Sequence, residues 1–334
     1  MSRPARRTRA ESTVPRRLAK RASATAAALT ALAAVLSWSP GNPVAGAAAP
    51  PLRPIDPPVN YVSIGDSYTA GQGVAVQLSP ATPRCRRSSN SYPRLVESKL
   101  EMRVGVEGDD VVSLTDASCS AATTTHLTTS QWTGSGYNPP QLNFIQSPTG
   151  PVNTDYVSIG LGANDARLLG ILNNCRDATT SRLETCEQAM QRNNRNPFAE
   201  IAAVTSKIDQ TIALVRQRAP RAVILVVGYP ALVPSAGSAA CQPVMGLTPT
   251  DMVYFDRVHR ALNSTLAAAA AARMVRYVDT YTPSIGHDAC QSVSARWMEP
   301  PIAGAALPGD HPNAKGHRKM ADAVVAKIFE ATWP

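Results

Sequence analysis

Acyl transfer needs a nucleophile, a base to take its proton, and donors for the negative charge that develops on the acyl oxygen. Three residues of this 334-residue chain have suitable side chains, and each stands at a break in the local pattern. Ser67 lies in "YVSIGDSYTAGQG" (61–73), where an apolar, β-branched run stops at Gly65-Asp66-Ser67 and gives way to small residues. Such a serine can cap the next helix or act as a nucleophile at the mouth of a sheet. Asn164 lies in "IGLGANDARLL" (159–169), either in an Asn-Asp turn or as an amide donor. His311 lies in "LPGDHPNAKGH" (307–317), in a loop that the next proline stiffens. The other four histidines have weaker settings. His126 is in a threonine-rich loop and His287 sits beside Asp288 in a loop bounded by cysteines. His259 in "DRVHRAL" and His317 in "KGHRKM" are expected on solvated helix faces.

The elements that must position these residues alternate along the chain. Strand-like apolar runs are expected at 60–64, 110–114, 155–160, 222–228 and 274–278. Between them, 197–218 has apolar residues at helical spacing, Ile201, Val204, Ile208, Ile212 and Leu214-Val215. Residues 250–273 follow the capping-box-like "TPTD", and a last helix over 312–330 is opened by Pro312. Strands alternating with helices, and apolar without a two-residue period, predict a parallel sheet covered on both faces. In such sheets a site forms at the carboxyl ends of the strands, where the order reverses. Ser67 and Asn164 each follow a strand at that end. So does "DASCSAATTTH" (116–126), whose small residues leave main-chain N–H groups accessible, unless they simply start a helix. The apolar "ARLLGIL" (166–172) fits an acyl pocket or a core helix equally well.

Net charge is +9, but residues 1–47 hold eight of the 33 Lys+Arg and one of the 24 Asp+Glu. The remainder, with 25 basic and 23 acidic residues, gives no support for a nucleic-acid surface. The arginine-rich start, the small apolar run 23–38 and Ala45-Gly46-Ala47 read as an export signal over 1–47. The apolar run is shorter than the ~20 residues of a membrane span. Residues 48–58 read as a proline-rich lead-in and 59–334 as one catalytic domain, secreted and with no stable membrane span after signal removal. All six cysteines, 85, 119, 175, 186, 241 and 290, lie in the exported part. An even count in an oxidising compartment implies disulfides, with 15 possible pairings. The spacings show no CxxC pair, and neither metal nor cofactor is expected.

"GDSYTAG", "CSAAT", "GAND" and "DHPNAKGH", in that order and at wide spacing, resemble the four blocks of the SGNH, or GDSL, hydrolase family over about residues 59–330. Within it the chain is most similar to secreted actinobacterial lipases and esterases. The resemblance implies a three-layer α/β/α sandwich, flavodoxin-like, with a central five-stranded parallel sheet. It implies ester hydrolysis by Ser67 with His311 as general base. The oxyanion hole would be formed by the N–H groups of Ser67 and Ala121 and the amide of Asn164. It also implies the pairs Cys85–Cys119, Cys175–Cys186 and Cys241–Cys290. The chain departs from the family at two places. Ala121 stands where glycine is usual, and Pro308 stands three residues before the histidine, where an aspartate is common. A main-chain carbonyl at or near Pro308 is therefore expected to orient His311, with Asp310 the less favoured candidate. The expected substrate is a small-molecule or lipid ester and the expected state a monomer. Polysaccharide deacetylation or acetyl transfer on the same fold, and an inactive lipid- or carbohydrate-binding module, are the rival readings.

Overall fold

A computed structural model describes residues 58–78, 84–104, 111–146, 153–182, 184–301 and 309–332. The expected export segment, the lead-in apart from Pro58, and Pro308 lie outside these residues. Five parallel strands form the central sheet: β1 (Val59–Gly65), β2 (Val112–Asp116), β5 (Tyr156–Gly160), β6 (Val223–Val227) and β7 (Arg276–Val278). Their order is β2-β1-β5-β6-β7. Registers such as Val62 opposite Val157 and Val157 opposite Ile224 align the carboxyl ends of β1, β5 and β6. The chain leaves β1 to form β2 on one side and returns to form β5 on the other. The order therefore reverses between β1 and β5, and a crevice opens there.

Alternate residues of the buried strands feed two cores, which is why the apolar runs show no polar face. Val62, Ile64, Val157, Ile159, Ile224 and Val226 pack on one side. They meet α6 (Val204–Arg218) and α8 (Pro249–Ala272) through Ile208, Ile212, Phe255 and Leu262. Tyr61, Tyr156, Leu225 and Val227 pack on the other. They meet α2 (Tyr92–Val104) and α9 (Ala314–Thr332) through Val96, Leu100, Val324 and Ile328. The expected three layers are present.

Boundaries differ from expectation for local reasons. The second strand runs two residues later than 110–114, because Thr115 and Asp116 pair with Val62 and Ser63 and carry the chain to the crevice. The 197–218 helix is divided at Ala203 into α5 (Pro197–Ala202) and α6. The last helix begins at Ala314 rather than Pro312. Pro312 bridges to Met298, and Asn313 Oδ1 accepts from the N–H groups of Lys315 and Gly316 at 2.9 and 3.0 Å. Thr248 caps α8 as read, accepting from Asp251 N at 3.1 Å. "ARLLGIL" enters α3 (Leu168–Asp177), and its Leu168, Ile171 and Leu172 are core residues.

Two histidines contradict their expected exposure. His259, inside α8, is fully buried against Phe255 and Tyr281, and burial lowers its pKa to about 4. His317 is also fully buried; its Nδ1 accepts from Tyr92 N at 3.1 Å, and burial lowers its pKa to about 3. The six cysteines form Cys85–Cys119, Cys175–Cys186 and Cys241–Cys290. The first ties the segment after α1 (Ser67–Ala70) to the loop after β2. The second ties α3 to α4 (Cys186–Arg192). The third joins the segment before α7 (Gln242–Met245) to the long segment between β7 and α9.

Candidate active site

Ser67 is the first residue of α1, at the carboxyl end of β1. The turn exists because Asp66 caps the helix, Oδ1 accepting from Tyr68 N at 2.9 Å. Gly65 is required there, since a Cβ would collide with Thr69. The Gln141 side chain holds Gly65 at both main-chain groups, accepting from N at 2.8 Å and donating to O at 3.0 Å. Gly71, at φ 80, closes the short helix.

Ser67 Oγ lies 2.9 Å from His311 Nε2, across 244 residues of sequence. His311 Nδ1 lies 2.8 Å from Gly309 O. A carbonyl can only accept, so Nδ1 carries the proton and Nε2 presents a lone pair to the serine hydroxyl. The orienting acceptor is thus a main-chain carbonyl two residues back, while Pro308 lies outside the described residues. Burial, with the nearby Arg86 charge, lowers the His311 pKa despite the opposing Gly309 bond and Asp310 charge. The His311 ring is neutral at neutral pH.

Asp310 points elsewhere. It adopts φ 63, and its carboxylate receives two hydrogen bonds from Arg176, each 2.7 Å. Arg176, on α3, also donates to Met245 O at 2.8 Å. Tyr68 OH donates to Asp310 O at 2.6 Å. Main-chain bonds to Glu299 and Trp297 hold the rest of the loop: Asp310 N to Glu299 O and Asn313 N to Trp297 O, both 2.8 Å. Asp310 braces the histidine loop rather than the ring.

Ala121 adopts φ 65, the left-handed region that favours glycine. Its neighbours fix that turn. Cys119 N donates to Gly65 O and Ser120 N to Cys85 O, each at 3.0 Å, beside the Cys85–Cys119 bond. Asn164 donates through Nδ2 to Ala122 O at 2.9 Å, which places its amide against the same turn; among the described residues nothing engages its second hydrogen. Asp165 ties the two loops again, accepting from Thr124 N at 2.9 Å and Thr124 Oγ1 at 2.7 Å. Among the described residues no hydrogen bond engages the N–H of Ser67 or Ala121.

Tyr229, Arg176 and Gln141 were not singled out from sequence. Tyr229 OH donates to Asp66 Oδ2 at 2.8 Å and accepts from Ala163 N at 3.1 Å, so it clamps the serine turn to the Asn164 turn. Its place two residues beyond β6, again at a carboxyl end, was the available signal. Arg176 and Gln141 carried none. Burial raises Asp66 to about 7 against its hydrogen bonds to Tyr229 and Tyr68. His126 bonds back to Thr123 N at 2.9 Å, and His287 stacks on Trp297. Neither joins the Ser67 pair.

Comparison with known proteins places the fold in a family. The GDSL-like Lipase/Acylhydrolase family model matches residues 63–319. The chain is 32% identical to Lipase 2 of Streptomyces coelicolor over 268 residues, covering 80% of this chain and 84% of that one. It is similar to the crystal structure of the extracellular lipase of Streptomyces rimosus, with a TM-score of 0.62 and 25% identity. That match covers 82% of this chain and 100% of that one. Phospholipase A1 from Streptomyces albidoflavus NA297 shares the fold at TM-score 0.62 and 24% identity, with 80% and 99% covered. The chain belongs to the GDSL-like lipase/acylhydrolase family and is a carboxylic ester hydrolase.

Proposed function

We propose that Ser67 is the nucleophile and His311 its general base, working as a dyad on acyl esters. The observation that carries this is the 2.9 Å contact between Ser67 Oγ and a His311 ring whose other nitrogen is held by a carbonyl. Ser67 Oγ attacks the acyl carbon while Nε2 takes the hydroxyl proton. The N–H groups of Ser67 and Ala121 and the free Nδ2 hydrogen of Asn164 receive the oxyanion. Collapse breaks the ester C–O bond, and the imidazolium returns its proton to the departing alcohol. A water then attacks the acyl-enzyme and loses a proton to His311; the Ser67 Oγ–acyl bond breaks, the imidazolium returns that proton to Ser67 Oγ, and the carboxylic acid leaves. One chain supplies all these groups, so a monomer suffices. The substrate class is small-molecule or lipid acyl esters. Secretion is supported by the N-terminal composition, the three disulfides and the extracellular Streptomyces rimosus relative.

Ser67→Ala tests the reading. It is expected to fold normally and to lose at least ~10³ in kcat on p-nitrophenyl esters. A fluorophosphonate is expected to label the parent at Ser67 and to leave this variant unlabelled. Substantial turnover by a folded alanine variant would place the nucleophile elsewhere.

A further inference from the structure

Two segments beside the site bury amides and expose apolar side chains, the reverse of an ordinary water-facing surface. β3 (Gln131–Trp132) and β4 (Tyr137–Asn138) form a short antiparallel ribbon in which Trp132 faces Tyr137 and Gln131 faces Asn138. Strand alternation sends the two pairs to opposite sides. The polar pair is the buried one. Gln131 Nε2 donates to Ser120 O at 2.7 Å, and Asn138 Oδ1 accepts from Arg87 at 3.2 Å. The aromatic pair is 59% and 67% exposed, its rings 5.0 Å apart. Residues 76–78 repeat the pattern. Gln77 turns in to donate to Val74 O and Gly71 O, while Val76 and Leu78 are 65% and 47% exposed.

Both inward amides grip the site's own loops. Ser120 precedes Ala121, and Gly71 ends the Ser67 helix. The charge of this region is one-sided as well. Between Asp66 and Glu97 the sequence has four arginines and no carboxylate, and between Asp116 and Asp155 it has no carboxylate. Arg84 is exposed, and its N–H is held by Thr133 Oγ1 at 3.1 Å and Ser135 Oγ at 3.2 Å, at the ribbon's turn.

We infer that the Trp132–Tyr137 ribbon, with Val76, Leu78 and Arg84, docks the protein on an anionic lipid–water interface and so presents lipid acyl esters to the Ser67 site. Trp and Tyr rings have an apolar body and a polar tip and settle at headgroup depth. A neighbouring arginine, with no carboxylate in either of these two stretches, adds attraction to an anionic surface. The two amides beside the rings, Gln131 and Asn138, point inward and are not offered to a stacked sugar chain. The inference rests on the acyl-ester reading of the site, but its test needs no chemistry.

Full-length protein carrying Ser67→Ala is sedimented with vesicles of phosphatidylglycerol or of phosphatidylcholine at low salt, and separately with insoluble acetylated xylan. The expected result is binding to the phosphatidylglycerol vesicles. Trp132→Ser with Tyr137→Ser weakens it by about tenfold or more through lost apolar burial. Arg84→Glu weakens it by about tenfold on phosphatidylglycerol and changes nothing on phosphatidylcholine. Circular dichroism establishes that each variant is folded. In the Ser67-intact background the double variant lowers the ratio of emulsified to dissolved ester turnover by a similar factor. The inference is overturned if the parent binds neither vesicle, if the double variant sediments as the parent does, or if xylan is the surface bound through Trp132 and Tyr137. Loss of dissolved-ester turnover in Ser67→Ala alone reports on the nucleophile and leaves the vesicle result independent.

Discussion

The Ala121 turn and the His311 loop present the same backbone problem and hold it by different means. Each contains a side-chain-bearing residue in the left-handed region, Ala121 at φ 65 and Asp310 at φ 63. Around Ala121 the restraint is a disulfide and main-chain hydrogen bonds to β1 and to the segment of Cys85. Around Asp310 it is an ion pair with Arg176, a side chain 134 residues earlier, with Tyr68 on the carbonyl. On the proposed mechanism the first turn only has to present an N–H in a fixed direction, which a covalent frame does well. The second has to hold a titrating ring, and the charge near it counts as much as its shape. Perturbing the frame should therefore act on oxyanion stabilisation alone. Perturbing the ion pair should also move the pH profile.

Of the two turns, the larger effect is expected at Ala121. Ala121→Pro removes the donor N–H and should cost on the order of 10²–10³ in kcat with the pH profile unchanged. Ala121→Gly keeps the N–H and relieves about 1 kcal/mol of left-handed strain, and should stay within about tenfold of the parent. A folded, fully active proline variant would separate this turn from the oxyanion.

A smaller loss is expected at Arg176. Arg176→Ala leaves the Asp310 carboxylate without its partner in a part-buried loop and frees the histidine to shift. About ten- to a hundredfold in kcat is expected, because a misplacement of ~1 Å costs up to ~10². Arg176→Lys should recover part of it. The variant should also raise the acid limb of the kcat profile, since an unpaired carboxylate stabilises the imidazolium. A loss of kcat with no movement of that limb would make the role purely structural.

In the parent, the lowered His311 pKa places the acid limb of kcat/KM below the ordinary histidine range near 6.5. Stability should weaken in the same region for a separate reason. His259 and His317 titrate near 4 and 3 when folded, and near 6.5 when unfolded. The unfolded chain therefore binds more protons, and stability is lost as pH falls from about 6.5 toward 3. Asp66, raised to about 7 in the fold, opposes this with one proton between about 3.8 and 7. Burial also raises Asp116 and Asp256 and lowers His126 and His311, so four histidines stand against three carboxylates, and a net loss toward acid is expected, which thermal melting between pH 7 and 4 measures. A melting temperature that rises toward pH 4 would contradict it.

The sheet, its two-sided cover and the Ser67 turn were legible because local pattern determines them. Buried parallel strands read as apolar runs, and the break at Gly65-Asp66-Ser67 is forced by contacts within five residues. His259 and His317 were misread from their charged neighbours, Arg260 and Arg318. Those neighbours point off to the side. His317 belongs to the stripe of Met320, Ala321, Val324 and Ile328, and His259 to that of Phe255, Leu262 and Leu266, so helical spacing held the signal. Arg176 and Gln141 were not legible on any local ground. Their partners lie 134 and 76 residues away, and nothing in either neighbourhood marks them.

The smallest expected effect tests the central claim most directly: a main-chain carbonyl, Gly309 O, orients His311, and Asp310 only braces its loop. The measurement is kcat of Asp310→Asn between pH 7 and 9. The asparagine retains an oxygen for Arg176 and leaves the Gly309 contact alone, so a loss of less than about tenfold is expected. Where a carboxylate holds the catalytic tautomer, the same change costs about 10⁴. A loss of that size would make Asp310 the third member of a triad and contradict the account.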